Sequence, residues 1–209
     1  IEVLRVGFRG APDVQVAEYA GPIDPFELAA PINFLGRFYG QHTEEGEASV
    51  IIEVAPGPGL PTQRELINRF GYTNFFIWKY LDSLIPMENR IPKLGWYASN
   101  QSVRDLWIRG LRHIKKSMVV IHSPWLTEEM ADCQPNGKGG YEAYGESAHD
   151  DRVRAMLLAL WHAHDWSSAI EPSEPKEIEK VNEPAWQASA ISYDDMVDAW
   201  DDRVSELLD

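Results

Sequence analysis

Three carboxylates stand out by position. Glu53 interrupts the apolar run at residues 48–55 (ASVIIEVA), at the end that meets Pro56-Gly57-Pro58-Gly59. A carboxylate there loses hydration, and a metal cation or an arginine offsets that loss. The ordinary alternative is an edge-strand glutamate facing water. Asp150 and Asp151 follow His149 at the start of a long helical pattern. Adjacent acids at a helix N-terminus have an ordinary job too: they cap the first turn and complement the helix dipole. From spacing alone capping is the more ordinary reading, and two features shift the balance toward chemistry. The helix behind them is strongly apolar, so its start lies close to the core, and Arg152 and Arg154 beside them could meet phosphate. Hard carboxylate oxygens suit Mg2+ or Mn2+. Two such ions about 3.5–4 Å apart clamp the attacking and leaving oxygens of a phosphodiester. Glu53, Asp150 and Asp151 are therefore the candidate catalytic and metal-binding residues, one on a strand end and two at a helix start.

Other groups carry less. Asp201-Asp202-Arg203-Val204 repeats the letters of Asp150-Asp151-Arg152-Val153, but it lies in an acidic tail with Trp200 in place of His149. His113, His122, His149, His162 and His164 show no compact zinc spacing, and Cys133 stands alone. His162 and His164, two apart, point to different faces of a helix. Gly137-Lys138-Gly139-Gly140 lacks the spacing and the Ser/Thr of a phosphate-binding loop. Arg104, Arg109, Arg112, Lys115 and Lys116 give one helix a basic side. Such a side is ordinarily a solvated face, yet it is the best DNA-tracking surface in the chain.

The elements that must position these residues follow from periodicity. Residues 1–8 and 14–19 alternate and form two strands of a hairpin around Gly10-Ala11-Pro12-Asp13. Asp24 then Pro25 read as N-cap and first helical position, with Leu28, Ile32, Leu35 and Tyr39 at helical spacing up to Gly40. Residues 48–55 read as a strand buried on both faces, followed by a short helix to Phe70 and a strand at 75–81. Residues 82–100 read as loop or a flexible hairpin. Residues 102–116 form an amphipathic helix burying Val103, Leu106, Trp107, Leu111 and Ile114. A strand at 118–122 follows, then a helix capped by Thr127, a turn at 136–140, and a helix over 149–166 with Val153, Met156, Leu157, Leu160 and His164 on one face. Alternating β and α elements predict a mixed α/β sheet covered on both faces. Residues 1–166 form one domain. Residues 167–209 form an acidic linker and a short C-terminal helix, with 12 acidic and three basic residues.

The net charge of −14 argues against a binder that relies on phosphate neutralisation alone. It leaves room for an enzyme whose acids hold divalent cations against DNA. No run approaches the roughly 18 apolar residues of a membrane span, and the early charges Glu2, Arg5 and Arg9 do not form a secretory pattern. One cysteine fits a reducing cytoplasm.

Taken in order, residues 16–29 (VAEYAGPIDPFELA), 49–59 (SVIIEVAPGPG), 67–78 (INRFGYTNFFIW), 93–111 (KLGWYASNQSVRDLWIRGL) and 149–164 (HDDRVRAMLLALWHAH) resemble the nuclease domain of tailed-bacteriophage large terminase subunits. The resemblance implies a ribonuclease-H-like sheet flanked by helices. It also implies a Mg2+- or Mn2+-dependent endonuclease that cuts double-stranded DNA during genome packaging in the host cytoplasm. Implied partners are the terminase ATPase domain, the portal and the small terminase subunit. Glu53 matches the family's central-strand acid, and Asp150 and Asp151 match its late-helix pair. The family's first acid is an aspartate on a strand that precedes the hairpin. Ile1 falls in what matches the second strand, and Asp13, in the hairpin turn, does not fit the first acid's role. The expectation is a fold whose first strand is missing from this sequence. The rival expectations are a junction-resolving nuclease of the same fold and a non-catalytic motor- or portal-docking domain.

Overall fold

The computed structural model describes residues 1–55, 58–78, 93–137, 140–145 and 149–164. The acidic tail, its helix and the loop at 82–92 lie outside the described residues. The architecture is mixed α/β. The hairpin is present: β1 (Glu2–Arg5) pairs antiparallel with β2 (Asp13–Glu18), with an irregularity between Val3 and Leu4. After β2 comes a turn in which the Asp24 carboxylate accepts from the Phe26 amide at 2.8 Å. Asp24 thus organises the approach to α1 (Ala29–Gly40) rather than capping it, because the helix begins several residues later than the Asp-Pro signal places it.

The apolar run at 48–55 is less regular than its composition predicts. Its ladder is confined to β3 (Glu53–Ala55) and one parallel bridge, Val50 to Phe75. Helix α2 (Gly59–Asn68) follows, then β4 (Ile77–Trp78), β5 (Lys93–Leu94) and β6 (Trp96–Tyr97). β4 pairs antiparallel with β5, and β3 pairs parallel with β6. Helix α3 (Asn100–Lys115) is closed by a capping box in which Ser99 and Ser102 exchange bonds. β7 (Val119–Val120) joins β2 in parallel, completing a sheet of order β1-β2-β7.

Helix α4 (Pro124–Asp132) is capped by Ser123, whose hydroxyl accepts from the Leu126 amide at 3.0 Å, with Pro124 at the first helical position. Thr127, expected as the cap, sits inside the helix and donates to the Ser123 carbonyl. A small hairpin of β8 (Cys133–Pro135) and β9 (Tyr141–Ala143) precedes α5 (Asp151–Ala163).

The apolar stripe of α5 decides where the catalytic candidates lie. Val153, Met156, Leu157, Leu160 and Trp161 are buried against Leu106 and Trp107 of α3, Leu126 of α4, and Trp96. Trp78, Trp96 and Trp161 contact one another edge-on or stacked, with centroids 5.9–6.4 Å apart. A second cluster, Ala29, Ile32, Leu66, Tyr72 and Phe75, seats α1 and α2.

Helices α3 and α5 approach closely because Gly110 has no side chain: a Cβ there would collide with the buried Leu157 side chain. Gly110→Ala should gain about 1 kcal/mol of helix propensity and lose about 1–3 kcal/mol to overpacking. The expected net result is a lower midpoint in urea, read by chemical denaturation.

Candidate functional site

The N-terminus of α5 is capped from outside the helix. Asp150 occupies the N-cap position, but its side chain makes no capping bond. Instead Glu129 of α4, 7% exposed, reaches across. Its Oε1 accepts from the Arg152 amide at 2.6 Å and the Val153 amide at 3.1 Å, and its Oε2 accepts from Arg152 Nη1 at 3.1 Å. The first-turn amides are thereby satisfied by a buried carboxylate, a charge-assisted arrangement. Capping, the ordinary explanation for Asp150 and Asp151, is done by another residue.

Glu53 meets this same helix start. Arg154 Nη2 lies 2.7 Å from Glu53 Oε1 and 2.9 Å from Oε2. The cation that compensates the strand-end carboxylate is thus an arginine one turn into α5, and residues 101 positions apart converge. Arg154, expected to meet phosphate, is engaged with Glu53 instead. Asp151 projects into solvent, its side chain 88% exposed, and its 3.9 Å approach to His149 Nδ1 is a surface contact worth little. Asp150 is half-buried. Burial pushes its carboxyl above the ordinary carboxylate range, the Arg154 charge opposes this, and the neighbouring Asp151 and Glu129 charges add to it. A cation beside Asp150 would relieve that repulsion.

Glu53 and Asp151 border a cavity of about 1040 Å³. One wall is β1, and the facing wall is residues 48–53. Leu28, Ile32 and Leu35 of α1 line it, as do Ala155, Leu158 and His162 of α5. β1 uses one edge for β2. The facing segment uses one edge for Asn74, Phe76 and Trp96, through bonds of 2.7–2.9 Å. Among the described residues no backbone hydrogen bond crosses the cavity. Two strand edges therefore face each other across an apolar gap, and the sheet expected from the sequence is divided at this point.

Glu2 also lines this cavity. Its Oε2 accepts from Gln15 Nε2 at 2.7 Å. Burial pushes the Glu2 carboxyl up to about 8 from 4.5; the Gln15 bond opposes this, and the nearby Glu18 charge adds to it. Between those two values the native chain keeps a proton that the unfolded chain releases, so this group's contribution to stability falls as pH rises. Glu2→Gln should raise Tm more at pH 8 than at pH 5, read by thermal denaturation at both.

A different set of residues has the geometry of a ligand cluster. Asp13, His113 and His164 bring one ligand atom each within 4.8 Å of one another, and among the described residues they are the one such set of three. Glu53, Asp150 and Asp151 do not form such a set as they stand. Asp13 Oδ2 lies 3.0 Å from His113 Nε2 and 2.6 Å from His164 Nε2. Asp13 and His113 are buried. Burial disfavours the Asp13 charge, but the two imidazole bonds and the Gly7 amide outweigh it and hold the carboxyl below the ordinary range. This group could hold a metal ion. Its members are 100 and 51 positions apart, so no local spacing signals it.

No protein-family model matches the chain, and no curated protein matches it.

Proposed function

We propose that the chain is a ribonuclease-H-like, divalent-metal-dependent endonuclease of the phage terminase type, with Glu53, Asp150 and Asp151 as its metal-binding carboxylates. The observation that carries this reading is the meeting of Glu53 with the start of α5, where Glu129 has taken over the capping role. Glu53 and Asp151 are then left on the rim of one cavity, and the adjacent Asp150 makes no side-chain capping bond. Mg2+ or Mn2+ bound there would supply Lewis-acid stabilisation of the phosphodiester and an activated water. Glu53 would share its oxygens between Arg154 and a cation, and Asp150 would lose the repulsion of its neighbours.

The divided sheet supports the same reading. An extended strand entering the gap would join β6-β3 to β1-β2-β7 as one mixed sheet. The resemblance assigns the family's first acid to such a strand, and Glu53 and Asp151 border the gap. DNA would track along the basic side of α3, with Arg104, Arg109 and Lys115, and the implied partners would be the packaging ATPase, the portal and the small terminase subunit.

Metal-dependent nicking of supercoiled plasmid tests the reading. Preference for four-way junctions over linear duplex would turn it toward a junction-resolving nuclease. Absence of salt-dependent DNA binding would turn it toward a docking domain.

A further inference from the structure

We infer that Asp13, His113 and His164 form a second metal site, built for a first-row transition ion such as Zn2+ and separate from the carboxylates at the start of α5. The ligands come from three elements: the first residue of β2, the last turn of α3 and the residue that ends α5. Both imidazoles present Nε2 to a single carboxylate oxygen, Asp13 Oδ2, at 3.0 and 2.6 Å. Ligands about 2.0–2.1 Å from a tetrahedral Zn2+ stand about 3.3 Å apart, so both Asp13–imidazole pairs, at 3.0 and 2.6 Å, open by less than an ångström, and the third pair, between the imidazoles, starts from within 4.8 Å.

The surroundings are those of a built site. The other carboxylate oxygen of Asp13 accepts from the Gly7 amide at 2.8 Å, which fixes the orientation of Oδ2. The Asp13 amide donates to the Met118 carbonyl at 2.9 Å, and the Met118 amide donates to the His113 carbonyl at 3.2 Å, tying β2 to the end of α3. The two imidazole rings are 4.5 Å apart. His164 is 24% exposed, which leaves a side from which an ion can enter and a water can complete the coordination. Two imidazoles and one carboxylate suit Zn2+ or Co2+ over Mg2+, whose preference is for oxygen. Helix α5 carries Asp151 at its start and His164 just past its end, about 20 Å apart along the axis, so the two sites do not share an ion. Binding would displace the protons held between Asp13 and the imidazoles and cross-link three distant segments.

The test uses the 209-residue chain, stripped with chelator and dialysed against Zn2+ or Co2+. With excess Mg2+ present to occupy oxygen-ligand sites, we expect one Zn2+ per chain by elemental analysis, a raised Tm, and visible absorption bands when Co2+ replaces Zn2+. His164→Ala should weaken uptake by at least about 100-fold, since changing even a residue that only orients a metal ligand costs about 10–100-fold, while His122→Ala, at an exposed histidine outside the triad, should leave uptake unchanged. His164→Cys should bind Co2+ and add a sulfur-to-metal charge-transfer band, which a hydrogen-bonded triad without metal cannot produce. Uptake that His164→Ala does not alter, or no stoichiometric uptake by the wild-type chain, overturns the inference.

Discussion

Asp151→Asn should abolish Mn2+-dependent nicking of plasmid DNA, a loss of at least about 100-fold, with little change in Tm. The two halves of this expectation come from one geometry. The Asp151 side chain is almost fully exposed and does not fill the core, and as a first-turn acid it complements the helix dipole only at the surface, where the effect is small. Its removal therefore leaves packing intact, and surface substitutions of that kind stay within about 0.5 kcal/mol. A carboxylate that holds a catalytic cation is different. An amide at the same place keeps the shape but loses the charge that neutralises the ion. Outer-shell substitutions at metal sites already cost about 10–100-fold, so loss of a direct ligand should cost at least as much. Glu53→Gln should not be read in the same way, because it also breaks the bidentate pair with Arg154.

The opposite pattern is expected at Glu129. Glu129→Ala removes, from a buried position, the acceptor for two α5 amides and for the partly exposed Arg152 guanidinium. Leaving the two amides unpaired, while Arg152 keeps Glu18 at 3.6 Å, should cost about 2–4 kcal/mol, or roughly 5–15 °C in Tm for a chain of this size. Asp150→Ala should cost far less in stability, since Asp150 makes no side-chain capping bond. Thermal denaturation of the two variants side by side separates the residue that caps the helix from the residue that stands at its cap position. A larger loss for Asp150→Ala would return the acids to a capping role.

Much of the local structure was legible in the sequence. The 3.6-residue stripe of Leu106 and Trp107 placed α3, that of Val153, Met156, Leu157 and Leu160 placed α5, and alternation placed the first hairpin. The position of Glu53 was informative because a carboxylate among Val, Ile and Ala must have a partner, and the structure supplies Arg154. What the sequence hid is tertiary. Glu129 reads as an ordinary residue of a helix, and its role arises only when α4 meets α5 across 23 positions. Helix α4 starts at Ser123-Pro124 rather than at Thr127: the serine hydroxyl accepts the orphan amide, and proline fits the first helical position. Asp13, His113 and His164 were each visible, and Asp13 read as a turn residue. Their convergence depends on how β2, α3 and α5 end together, which no spacing rule encodes. The expected continuous sheet was likewise drawn from element order, whereas the two strand edges flanking the cavity carry no bond to one another.

In the proposed function, the acids at the start of α5 hold a divalent cation for phosphodiester cleavage. Plasmid nicking across a Mn2+ titration, with wild-type chain and Asp151→Asn prepared and assayed together at fixed salt, tests it most directly. Nicking by the wild type should rise with Mn2+ and stop on chelation, and the variant should show none. Equal nicking by both proteins, or none by the wild type at any Mn2+ concentration, would contradict it.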